Sequence, residues 1–163
     1  MTNKTVFTKD LTNRKMHVSR EFAAPLEKVW AAWTEKDLIE KWIAPKPWHA
    51  ETKSYSFSEG GTWLYAMVGP EGQKQWSRFD FDTIKPMQSY KQTSKFSDEN
   101  GNTAEDYAGM QWFIQFFPTE NGTRVDVELY VEDPAALEKL LTMGFEGGFT
   151  MSLGNLNELL ADA

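Results

Sequence analysis

The chain has 163 residues, 40% hydrophobic and 14% aromatic, with seven Trp, eleven Phe and no Cys, and its 17 basic and 24 acidic side chains leave a net charge of -7. That length is usual for one domain and allows roughly 70% of the unfolded surface to be buried without staples. The negative charge repels phosphate backbones and anionic bilayers, which argues against nucleic acid and membranes as partners, and the lack of cysteine removes disulfides, thiolate nucleophiles and thiolate metal sites.

Residues 1–14 are polar and aperiodic and read as a flexible N-terminal arm, with one domain expected over 15–163. The arm has no apolar core of signal-peptide length and no segment approaches the ~18 apolar residues of a membrane span, so a cytoplasmic location is the simplest expectation. In KMHVSREF, Met16, Val18 and Phe22 alternate with polar residues, predicting a half-buried strand with Arg20 on its inward face. Ala24-Pro25 stops it, and Val29, Trp30, Trp33, Leu38 and Trp42 mark the apolar side of two short helices hinged near Thr34 and ended by Pro45 and Pro47. The charge-balanced EKDLIEK within them does not suit a DNA-reading helix.

From Trp48 to Glu132 the period changes to two. Turn signals at Glu59-Gly60-Gly61, Gly69-Pro70-Glu71-Gly72, Lys85-Pro86, Asp98-Glu99-Asn100-Gly101 and Glu120-Asn121-Gly122 divide the stretch into six strands, at about 48–58, 62–68, 75–84, 88–97, 109–117 and 123–132. Alternation places Trp63, Tyr65, Met67, Phe79, Phe81, Met110, Trp112, Ile114, Phe116, Val125, Val127 and Leu129 on the inner face, and Asp80 and Asp82 on the outer. With the strand at 15–22 this is a seven-stranded antiparallel sheet.

The remaining residues predict one long amphipathic helix. Asp133 caps it, Pro134 takes the first helical position, and Leu137, Leu140, Leu141, Phe145, Phe149, Leu153, Leu156, Leu159 and Leu160 share a face. Gly144, Gly147, Gly148 and Gly154 each cost about 1 kcal/mol against Ala in such a helix. Gly144 and Gly148 lie on the apolar face, where they serve either a close backbone crossing or room for a guest molecule. A kink near Gly147-Gly148 is the third reading.

Several short motifs occur in a telling order: Ser19-Arg20-x-Phe22-x-Ala24-Pro25, Val29-Trp30, Trp42 before Pro45, Gly60-Gly61, Gly69-Pro70-x-Gly72, Ile84-x-Pro86, Gly122-Thr123-Arg124 and the tail Glu146-Gly147-Gly148-Phe149 with its leucines. Over about residues 15–161 the chain resembles the bacterial relatives of the C-terminal domain of the activator of the heat-shock-protein-90 ATPase, within the START-like (SRPBCC) superfamily. It departs at Ser56 and Ser58, where many relatives carry Asp-x-Arg, and at Phe149, where they carry Trp. The resemblance implies an α+β helix-grip fold: a curved antiparallel sheet wrapped around a C-terminal helix, two short helices after the first strand, and a cavity between sheet and helix. Such a fold hosts binders, enzymes and interaction modules alike.

Candidate chemistry is sparse. His17 and His49 have no metal-ligand companions at suitable spacing, no nucleophile elbow or phosphate-binding loop occurs, and no metal or cofactor is expected. The candidate site is therefore the cavity, lined on this register by Trp42, Trp48, Trp63, Tyr65, Phe81, Trp112, Phe145 and Phe149, unless those rings fill it themselves. Tyr65 is the ring whose hydroxyl can orient a ligand's polar end. The leading expectation is binding of a small hydrophobic molecule, aromatic or lipid-like. The alternatives are a co-chaperone-like or stress-related module with a chaperone or other protein partner, to which Trp76 and Tyr107 would contribute surface, and a polyketide cyclase or hydratase drawing on Tyr65, Arg78, Tyr90 or Gln92. Ligand identity and oligomeric state are not legible.

Overall fold

The computed structural model describes residues 5–103 and 109–161, so Tyr107 lies outside the described residues. Eight strands form one antiparallel sheet: β1 (Val6–Asp10), β2 (Lys15–Phe22), β3 (His49–Tyr55), β4 (Thr62–Val68), β5 (Lys74–Lys85), β6 (Ser89–Phe96), β7 (Met110–Thr119) and β8 (Gly122–Val131), in the order β1-β2-β8-β7-β6-β5-β4-β3. From β3 to β8 the sheet is a meander, and β2 closes against β8, with Phe22 opposite Thr123 and Met16 opposite Leu129. Each strand's alternation is set by which face meets the core.

The eighth strand corrects the reading of residues 1–14 as a loose arm. Val6–Asp10 pairs with β2 from Val6 opposite Ser19 to Asp10 opposite Lys15, and the Asp10 carboxylate accepts from the Asn13 backbone at 3.3 Å and the Asn13 side chain at 2.8 Å. Four of its five side chains are exposed, so main-chain pairing holds this edge, together with Phe7, which meets the Phe145 ring at 6.5 Å, and a Lys9–Glu146 ion pair at 3.1 Å. One half-buried side chain makes no burial pattern to betray the strand. Arg20 is half-buried at the same margin, where its guanidinium donates to Thr5 Oγ1 at 3.1 Å and stands 5.6 Å from the centre of the Phe22 ring.

Helix α1 (Leu26–Thr34) buries Val29, Ala32 and Trp33, and after a break at Glu35, in extended conformation, comes the single turn α2 (Lys36–Ile39). The C-terminal segment begins as the sequence predicts: the Asp133 carboxylate accepts the Ala135 amide at 3.0 Å and Pro134 opens α3 (Pro134–Thr142). It is not continuous. Gly144 adopts a positive φ of 88°, a conformation only glycine takes without strain, and α4 (Phe145–Ala161) starts anew. The break thus falls before Gly147-Gly148, which are helical. Helix α4 buries Phe149, Ser152, Leu153, Leu156 and Leu160 against the concave face of the sheet, where the predicted inward residues are all buried except the partly covered Met67.

Candidate functional site

The space between sheet and helices has two ends, and side-chain size decides the state of each. Beneath α1 it is filled. Trp30 meets Phe116 with ring centres 5.0 Å apart and Tyr90 at 5.9 Å, Trp33 meets Trp42 at 4.7 Å, and Phe57 meets Phe81 at 4.9 Å, mostly edge to face. At the other end, beneath the α3–α4 break, a cavity of about 390 Å³ remains, within the ~300–1,000 Å³ range of small-molecule sites. Small side chains stand there where the closed end has rings: Ser77 on β5, Ser94 on β6, and Gly144, Gly148 and Ser152 at and after the helix break. Its apolar walls come from Tyr65 and Met67 on β4, Phe79, Met110 and Trp112 on the neighbouring strands, Leu140, Phe145 and Phe149 from the helices, and Ile43, Pro45 and Trp48 from the segment before β3. Phe96 and Met143 stand at its margin, 41% and 59% exposed.

Five of the eight residues expected around the cavity are there: Trp48, Tyr65, Trp112, Phe145 and Phe149. The other three are core. Trp42 is fully buried against Trp33, its indole N–H donating to the Ala32 carbonyl at 2.9 Å, so it locks α1 to the turn after α2. Trp63 is 1% exposed behind Tyr65, on which it stacks at 4.1 Å, and its indole donates to Thr52 Oγ1 at 2.9 Å on the adjacent strand. Phe81 belongs to the filled end, with Phe57 and Tyr90. Alternation gave the right face for Trp63 and Phe81, and the helical pattern gave it for Trp42, but position along the element decides which end of the grip a side chain occupies.

The glycines of the helix serve space, not a close crossing of backbones. A Cβ at Gly144 would meet nothing within 4 Å, and one at Gly148 would meet only Pro45 Cγ at 3.6 Å. Ser152 ties α4 to the opposite wall, its hydroxyl donating to the Ile43 carbonyl at 2.8 Å, with the Gly148 carbonyl at 3.1 Å. Ser77 and Ser94 were missed in the sequence, although they continue the inward rows of Phe79 and Gln92 toward the sheet's open end.

The electrostatics of the wall are simple. Tyr65 is 2% exposed, and burial alone pushes its phenol well above the ordinary value of 10, so it stays protonated as a donor at neutral pH. Among the described residues its hydroxyl has no hydrogen-bond partner. Ser94 Oγ accepts the Trp112 indole N–H at 2.8 Å, and its own hydrogen has no acceptor among the described residues. The other residues weighed for acid–base chemistry lie elsewhere. Arg78 is held by Asp80 at 2.8 Å on the outer face, and Tyr90 and Gln92 are buried away from the cavity, the Tyr90 phenol raised chiefly by burial and further by Tyr55, whose own hydroxyl donates to the Thr34 carbonyl. His17 is exposed, His49 sits 3.0 Å from Glu51 at the surface, and among the described residues no three His, Cys, Asp or Glu side chains converge as a metal cage.

A curved antiparallel sheet gripping a C-terminal helix, with a cavity beneath one end, is the architecture of the START-like helix-grip proteins. The sequence profile of the family described as activator of Hsp90 ATPase homolog 1-like protein matches residues 23–161, and the chain belongs to that family. Solved structures agree. The chain is similar to a protein from Arthrobacter aurescens seen in solution (26% identity, TM-score 0.90, covering 97% of this chain and 92% of that one). It is also similar to crystal structures of proteins from Mycobacterium smegmatis (24%, 0.87, 96% and 97%) and Nitrosomonas europaea (28%, 0.78, 92% and 96%). No curated protein matches the chain. No helix among the described residues is long and apolar enough to cross a membrane.

Proposed function

We propose that this protein binds a small hydrophobic molecule, aromatic or lipid-like, in the cavity beneath the α3–α4 break. The observation that carries this reading is the size and make-up of that space: about 390 Å³, walled by aromatic and aliphatic side chains, left open by serines and glycines where rings fill the other end. Burial supplies the affinity, at about 25 cal/mol per Å² of apolar surface, and a few hydroxyls orient the guest. The phenol of Tyr65 acts as a fixed donor rather than a base, because its raised pKa opposes loss of the proton. Among the described residues the large exposed apolar side chains are scattered: Val6 and Leu11 lie by the edge hairpin, Met151 on α4, and Phe96 and Met143 on the cavity margin. Trp76 is partly covered by Lys53, whose ammonium lies 6.0 Å over the ring. The interaction-module reading therefore has its support in family membership, whereas the binding reading has a built space.

The test is native mass spectrometry of the purified protein, joined to quenching of the cavity tryptophans, Trp48 and Trp112, by a panel of flavonoids, polyketides and fatty acids. Binding tighter than about millimolar by at least one class is expected. If every compound is weaker than that, about 4 kcal/mol, the binding reading is abandoned.

A further inference from the structure

The polar groups of the cavity carry more information than its size. Tyr65 on β4 is the direct cross-strand partner of Ser77 on β5, and Ser94 on β6 is the partner of Phe79, two residues further along β5. Three hydroxyls thus stand on three adjacent strands along one wall. Among the described residues, Tyr65 and Ser77 have no side-chain hydrogen bond, and Ser94 is engaged only as an acceptor. Each still has a hydrogen to give.

Among the described residues, no acidic side chain lines this cavity, and Lys95 is the one basic residue along it. Alternation along β6 turns Tyr90, Gln92 and Ser94 inward, so the Lys95 side chain stands on the outer face, opposite Arg78, with its stem along Gly109. Among the described residues the wall therefore offers neutral groups and no counter-charge: the hydroxyl donors in its depth and the Gln75 amide at its exposed rim. An anionic guest would lose its hydration without gaining an opposite charge, in a chain whose net charge is already -7. A guest with no polar group would leave the buried Tyr65 hydroxyl unpaired.

From this we infer that the cavity selects an uncharged ligand with an apolar, ring-sized body and a carbonyl-type acceptor, which takes the hydroxyl hydrogens of Tyr65 and Ser77. This rests on the proposed binding function and names the ligand's chemical class. An aldehyde, ketone, ester or quinone group fits these donors equally.

Three probes of nearly one shape separate the terms: 2-acetylnaphthalene, 2-ethylnaphthalene and 2-naphthoate, each titrated at neutral pH by quenching of tryptophan fluorescence. The ketone should bind best, ahead of the ethyl compound by roughly three- to tenfold, the worth of one hydrogen bond. The carboxylate should trail the ketone at least tenfold. Tyr65→Phe should remove the preference for ketone over ethyl, because the ketone loses its donor and the ethyl compound no longer leaves a hydroxyl unpaired. Ser77→Ala should lower that preference in part, and serves as the readout if the tyrosine variant does not fold. A carboxylate that binds as well as the ketone, or a ketone preference that survives both substitutions, overturns the inference while leaving the binding function standing. Failure of all three probes to bind overturns the inference, and the binding function falls with it only if the flavonoid, polyketide and fatty-acid panel fails as well.

Discussion

Replacing Gly148 by Leu asks whether the cavity is usable space or merely loose core. The new Cβ would touch Pro45 Cγ at 3.6 Å, an ordinary contact, and the remaining carbons would project into the cavity that Gly148 lines. Four added carbons at roughly 30 Å³ each occupy on the order of 120 Å³, close to a third of the 390 Å³ present. On the stability side, leaving glycine within a helix gains about 0.8–1 kcal/mol, and little strain opposes it. For a chain of this size 1 kcal/mol moves Tm by about 2–4 °C, so the variant should melt at the wild-type temperature or up to about 4 °C higher. Binding should weaken tenfold or more, because a guest must now share its space. A circular-dichroism melt beside a titration with 2-acetylnaphthalene reads both quantities. Were the region packed core, overpacking would cost about 1–3 kcal/mol and lower Tm by several degrees. A lower Tm with unchanged binding would refute the assignment of this space to a ligand.

Gly144→Ala meets no steric obstacle but forces a side chain into the φ of 88° at the helix break, so it should destabilise by about 1–2 kcal/mol, visible as a drop of a few degrees in Tm. A neutral result would mean that the break is not held in that conformation. Ser152→Ala strands the buried Ile43 carbonyl that its hydroxyl satisfies, and should cost about 1–2 kcal/mol in urea unfolding. The buried phenols of Tyr65 and Tyr90 are raised above the ordinary 10, so in the folded chain they hold their protons where the unfolded chain releases them. Stability is then complete below about pH 10 and falls above it by about 1.4 kcal/mol per pH unit for each phenol. Urea midpoints at pH 8, 10 and 11 check this, and Tyr65→Phe should make the decline shallower; an equal decline in the variant would contradict the assignment.

What the sequence determined by itself is the set of elements and their inward faces. Period-two alternation in β4, β5, β7 and β8, glycine-bearing turns between them, and the Asp133-Pro134 start of α3 are local signals, and burial enforces each one residue by residue. Edge strand β1 escaped because its hold is mostly main-chain pairing, with Phe7 its one side chain against the core, which leaves almost no alternation to read. The location of the helix break escaped as well, since four glycines are equivalent in sequence and only the packed chain shows that Gly144 takes the left-handed turn. The cavity belongs wholly to the tertiary structure. Trp63 and Phe81 have the same inward phase as Tyr65 and Trp112, yet they fill the grip while the latter wall the open space. A side chain's face is set by its neighbours along one strand, but whether it fills or borders a void depends on what β3 to β7 and the two C-terminal helices bring opposite it: rings at one end, serines and glycines at the other.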